Sequence, residues 1–178
     1  MNPDSTLRDF LATFASLRTG HPTVHGHVLT HGKIFQSQPL TTEETNLLNT
    51  VQWRTHRPKH CFQNAQETAL ALHRRTGPDI KVRYAEGFIM HTFKVPMPVA
   101  HAWVSLNGKV VDTTLRPDRD NRHERVTGII PEEWQYMGVE LEPERSLHAL
   151  HHGHVISLLD DWKCGWPLLQ PPQDRPLP

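Results

Sequence analysis

Apolar residues recur at helical spacing in some stretches of the chain and at every second position in others. In "MNPDSTLRDFLATFASLRTG" Leu7, Phe10, Leu11, Phe14 and Leu17 share one helical face. They predict an amphipathic helix over 4–18 docked on the domain. In "KHCFQNAQETALALHRRTG" the stripe is Cys61, Ala65, Ala69 and Leu72, with Leu70 alongside and Gln63, Gln66, Glu67, Arg74 and Arg75 elsewhere. This predicts a helix from about Cys61 to Arg75, stopped by Gly77-Pro78. "LTTEETNLLNTVQW" reads as a shorter helix. Thr41 and Glu44 have the spacing of a capping box, and Leu47, Leu48 and Val51 would face inward.

Alternation marks the strands. Thr23, His25 and His27 alternate with Val24, Gly26 and Val28, which predicts a strand pairing with a second over 33–36. Ile80, Val82 and Tyr84 alternate with Lys81 and Arg83, giving a strand over 80–90. "VAHAWVSL" (99–106) and "KVVDTTL" (109–115) are two more, joined by Asn107-Gly108. Asn-Gly between apolar runs favours a type I′ hairpin, because that turn needs two positive φ values. "PEEWQYM" reads as a short helix with Pro131 in its first turn, and "HVISLLDDW" as a strand or a buried helix end. The expected fold is α+β: an antiparallel sheet of 80–90, 99–106 and 109–115 packed against the helix that opens on Cys61. One domain would span 1–164, followed by a Pro-rich tail over 165–178.

The hairpin register places chemistry. A two-residue turn sets Trp103 opposite Asp112 and Val104 opposite Val111. His101, Trp103 and Ser105 then share a face with Val110, Asp112 and Thr114, and His101 becomes a diagonal neighbour of Asp112. Cys61 stands at a helix mouth, where the positive end of the helix dipole favours thiolate. An imidazole beside the thiol can take its proton. A carboxylate behind the ring fixes the tautomer and stabilises imidazolium. Cys61, His101 and Asp112 are therefore the candidate catalytic residues, with the Cys61 amide facing a developing oxyanion. For a second oxyanion donor or other site support, Gln52 and Asn64 stand equal, with Trp103 and His60 as further candidates.

The segments Cys61, Arg83-Tyr84-Ala85-Glu86-Gly87, His101-Ala102-Trp103-Val104 and Val111-Asp112-Thr113-Thr114 resemble the core of the transglutaminase-like superfamily, a branch of the papain-like cysteine enzymes. The likeness covers about 59–115. It implies a papain-like fold and thiol-dependent acyl chemistry on an amide or ester, by hydrolysis or by transfer to an amine. The substrate would be a protein, a peptide or a small amide or ester, and no cofactor is implied. The chain lacks an acidic cluster of calcium-binding kind and a CxxC pair, so it would be a small stand-alone member without bound metal.

Composition narrows the setting. Lys+Arg and Asp+Glu both number 19, so the formal net charge is +0 with His neutral. No polybasic footprint points to nucleic acid. No apolar run is long enough for a signal peptide or a membrane span. With 2 cysteines a disulfide framework is excluded, and a reducing, cytoplasmic location is expected.

Two other readings compete. A member of the same fold that has lost turnover would be a protein- or peptide-binding module. Alternatively, the 14 histidines, dense at "HPTVHGHVLTHG" and "LHALHHGH", could hold a metal; the spacing of His148, His151 and His152 would put two or three of them on one helix face.

Overall fold

The computed structural model describes residues 3–17, 22–51, 58–92, 97–115, 126–145 and 157–160. Among them are helices α1 (Pro3–Ser16), α2 (Val24–His31), α3 (Thr42–Leu48) and α4 (Cys61–His73). The strands are β1 (Lys33–Ile34), β2 (Val82–His91), β3 (Val99–Leu106), β4 (Lys109–Val111) and β5 (Trp134–Leu141). The fold is α+β, with one antiparallel sheet in the order β1-β5-β2-β3-β4. No helix among the described residues is long and apolar enough to cross a membrane.

The β3–β4 hairpin has the expected register, with Leu106 opposite Lys109 and Val104 opposite Val111. Asn107 and Gly108 adopt φ of 52° and 84°, the left-handed region that a type I′ turn requires. The hairpin tip is pinned from α3. Thr41 and Glu44 form the capping box, and the same Glu44 carboxylate accepts from Asn107 Nδ2 at 2.9 Å and Lys109 Nζ at 2.6 Å.

The sheet buries both faces. On one face Ala65, Ala69 and Leu72 of α4 pack on Val82, Tyr84, Val104, Leu106 and Val111. Farther along that face, Leu7 and Leu11 of α1 and Val28 of α2 cover Phe88, Met90, Met137 and Val139. The opposite face is aromatic: Phe35, Trp103 and Tyr136 pack with Ala85, Ile89, Val110 and Ile130. Gly138 makes room for this layer. A Cβ there would stand 2.7 Å from Cη2 of Trp103 and 2.6 Å from the Glu86 carbonyl oxygen.

Four expectations need correction. Residues 24–31 are helical, not a strand, and Lys33–Ile34 pairs with β5 instead of an earlier strand. Alternation in "TVHGHV" is outweighed locally by Thr23, whose hydroxyl caps α2 by accepting from the Gly26 amide at 3.0 Å. "PEEWQYM" does not begin a helix. Its second half opens β5, which is bonded to β1 on one side and β2 on the other. Leu17 is 70% exposed and leaves the α1 stripe. Gln66 is fully buried on α4 and hydrogen-bonds the Tyr84 hydroxyl. The segment 165–178 lies outside the described residues, as do most of "HVISLLDDW" and the histidines at 148, 151 and 152.

Candidate active site

His101 stands near the start of β3 and Asp112 directly after β4. Alternation places both on the aromatic face of the sheet, away from α4. Their side chains meet: Nε2 of His101 lies 2.6 Å from Oδ2 of Asp112. An ionised carboxylate only accepts, so Nε2 carries the hydrogen and Nδ1 is left for another partner. Cys61 is the other side-chain hydrogen-bond partner of the ring, in the sense that favours the protonated imidazole. β4 pairs only with Val104–Leu106. His101, which precedes Val104 on β3, therefore lies beyond the end of β4 on that edge.

Both charged groups are buried, His101 at 6% exposure and Asp112 at 1%. Burial alone would lower the His101 pKa. The Asp112 charge and hydrogen bond, with the hydrogen bond to Cys61, override it and raise the value to about 10. His101 is therefore an imidazolium at neutral pH. For Asp112 burial works upward, but His101, the Leu115 amide and the Tyr136 hydroxyl hold its pKa below the usual carboxylate value.

The carboxylate is fully engaged. Oδ1 accepts from the backbone amides of Thr114 (2.9 Å) and Leu115 (2.8 Å). Oδ2 accepts from His101 and from the Tyr136 hydroxyl at 2.8 Å. Tyr136 escapes sequence reasoning because its segment resembles a helix start. Its partner also lies across two intervening strands, β2 and β3, a relation that no local pattern encodes.

Asn64, one turn into α4, donates from Nδ2 to Thr114 Oγ1 at 2.8 Å. It thus ties the Cys61 end of α4 to the loop that carries Asp112. Trp103 is fully buried and packs along His101, with ring centroids 6.3 Å apart and planes 21° apart. Its Nε1 has no hydrogen-bond partner among the described residues. Gln52 lies outside the described residues. His60 is the N-cap of α4, exposed and making no side-chain cap. The first intrahelical bond runs from the Asn64 amide to the His60 carbonyl, so the amides of 61–63 have no partner within the helix.

A second polar group lies on the α4 face. Glu86, 2% exposed, accepts from the Tyr84 hydroxyl at 2.6 Å and from the amides of Leu158 (2.8 Å) and Leu159 (3.1 Å), and is bonded by Ser157 Oγ. Burial raises its pKa against these donors. Its partners make it the anchor of segment 157–160.

The histidines of α2 do not gather into a ligand set. His27 and His31 sit one turn apart with ring centroids at 4.6 Å, while His25 stacks between Phe14 and Phe88. Among the described residues no group of three or more His, Cys, Asp or Glu could hold a metal ion.

Comparison with known proteins adds no relative: no protein-family model, curated protein or solved structure matches the chain.

Proposed function

We propose that the chain is a thiol-dependent acyl-transfer enzyme of transglutaminase-like type, acting on an amide or ester of a protein, peptide or small molecule. One observation carries the reading: the unbroken run of hydrogen bonds from Asp112 through His101 to Cys61. A half-buried thiol at a helix mouth, beside a buried imidazolium, is an arrangement that generates and protects a nucleophile. The Cys61 helix lying against an antiparallel sheet supports extending the reading to a papain-like core.

In this reading the Cys61 thiolate attacks the carbonyl carbon of the substrate. The oxyanion forms beside the first-turn amides of α4 that have no partner within the helix, where the helix dipole is positive. As the tetrahedral species collapses, the C–N or C–O bond breaks. His101 gives its Nδ1 proton to the leaving amine or alkoxide, and a thioester remains on Cys61. Water or an amine then attacks the thioester while neutral His101 takes the proton. Breaking the C–S bond releases acid or new amide and restores the thiolate–imidazolium pair. Asp112 holds the ring throughout and offsets its charge.

Intact-mass spectrometry tests the reading, on a Cys164→Ser background so that Cys61 is the one thiol. The protein is incubated with a panel of activated esters, thioesters and glutamine-containing peptides. The expected result is a stoichiometric acyl adduct on Cys61 that His101→Ala suppresses and that water or an added amine discharges. No adduct with any acyl donor, or adducts that form equally without His101, would contradict it.

A further inference from the structure

We infer that Tyr136 is a positioning residue of this centre: its hydroxyl fixes Oδ2 of Asp112, and so sets the aim of the His101 ring and the strength with which Asp112 holds it. The inference rests on the acyl-transfer reading and deepens it.

The geometry separates two kinds of support for the carboxylate. Thr114 and Leu115 donate to Oδ1 from the residues just after Asp112. They fix the group relative to its own loop. Tyr136 reaches Oδ2 from β5, with β2 and β3 between. Of the four donors around the carboxylate among the described residues, only the tyrosine ties it to the far side of the sheet.

Tyr136 is itself held. It is fully buried and edge-on to Trp103, at 5.1 Å between centroids and 89° between planes. Trp103 is packed in turn by Phe35, edge-on at 5.1 Å, and stacks along His101. Tyr136 also meets the His101 ring edge-on at 6.3 Å. The imidazole, indole and phenol pack pairwise, so all three rings and the carboxylate keep one mutual arrangement.

A tyrosine serving the core alone would need only some acceptor. This one uses the same oxygen that His101 uses. Two donors on one carboxylate oxygen share its charge, so each weakens the pull on the other. Among the described residues, the titratable groups facing the His101 ring are Asp112 after β4, Cys61 from α4 and Tyr136 from β5. The hydroxyl therefore tempers the grip of Asp112 on the imidazolium. That matters because His101 must release its proton to a leaving group and then take one back.

The test is an imidazole NMR titration of full-length wild type and Tyr136→Phe, with the pH dependence of Cys61 alkylation recorded in parallel. Phenylalanine keeps the ring packing and removes the donor. The His101 midpoint should move up by about half a pH unit or more, because the carboxylate then serves one fewer donor. The alkylation profile should shift with it. Site-specific 3-fluorotyrosine at position 136, a stronger donor, should move the midpoint down and gives the readout should Tyr136→Phe fold poorly. Midpoints that do not move, or that move in the opposite sense, overturn the inference. A wild-type thiol whose alkylation ignores His101→Ala overturns the acyl-transfer reading and this inference with it. A His101-dependent thiol with unmoved midpoints overturns this inference alone.

Discussion

His101 and Asp112, 11 residues apart across a two-residue turn, form a buried pair at 2.6 Å between Nε2 and Oδ2. The pair keeps the ring protonated and directs its other nitrogen to Cys61. Replacing Asp112 by Asn removes the charge and leaves an acceptor of similar shape. With burial then unopposed by that charge, the His101 pKa should fall well below about 10. An imidazole NMR titration reads this directly. Asp112→Ala should be harsher, losing about 3–5 kcal/mol in urea unfolding because it breaks a buried pair and leaves the imidazole, the Tyr136 hydroxyl and two amides without their acceptor.

The same pair sets a pH dependence of stability. The His101 value is raised in the folded state, so its contribution is fully present below pH 6.5 and is lost as pH rises through about 10. The Asp112 value is lowered, so its contribution is present above 3.8 and is lost as pH falls below it. The difference in unfolding free energy between wild type and the double variant His101→Ala, Asp112→Ala should be largest between those limits. It should shrink steadily from pH 7 to 10. A difference that is flat or growing over that range is the contrary result.

Gly138 is where the aromatic layer can be disturbed without touching the triad. The Gly138→Ala methyl collides with Trp103 and with the Glu86 carbonyl. The expected loss is about 1–3 kcal/mol in chemical denaturation, the usual range for overpacking. Because Trp103 stacks along His101, the His101 imidazole resonances should shift as well. Lost stability with unshifted resonances would show that the indole does not hold the ring.

Asn64→Ala cuts the link between the first turn of α4 and Thr114. A neutral hydrogen bond contributes about 1 kcal/mol, so thermal unfolding should change little. Cys61 alkylation should slow several-fold, since the thiol is then less well held against the ring. A variant as reactive as the wild type would confine Asn64 to a packing role.

The hairpin and the helix that opens on Cys61 were legible in the sequence because their signals are local. Asn107-Gly108 dictates a turn type, the turn dictates a register, and the register puts His101 beside Asp112. The spacing of Ala65, Ala69 and Leu72 dictates a helix face. β5 was illegible for the opposite reason. Pro131, Glu132 and Glu133 imitate a helix start, whereas the strand is imposed by partners distant in sequence, 82–91 on one side and 33–34 on the other. Tyr136 was hidden with it. In α2 the alternation of Thr23, His25 and His27 imitates a strand, whereas the Thr23–Gly26 cap starts a helix. Gln66 reads as a solvated helix residue until Tyr84 supplies its buried partner.

The most direct test of the Cys61–His101–Asp112 relay is the rate of Cys61 alkylation by iodoacetamide from pH 5 to 10. The measurement uses the Cys164→Ser background with and without His101→Ala. The account predicts rapid labelling across the neutral range that falls at least about tenfold without His101, because the imidazole is what activates the thiol. Slow labelling that rises only in alkali, and is unchanged by His101→Ala, would contradict it.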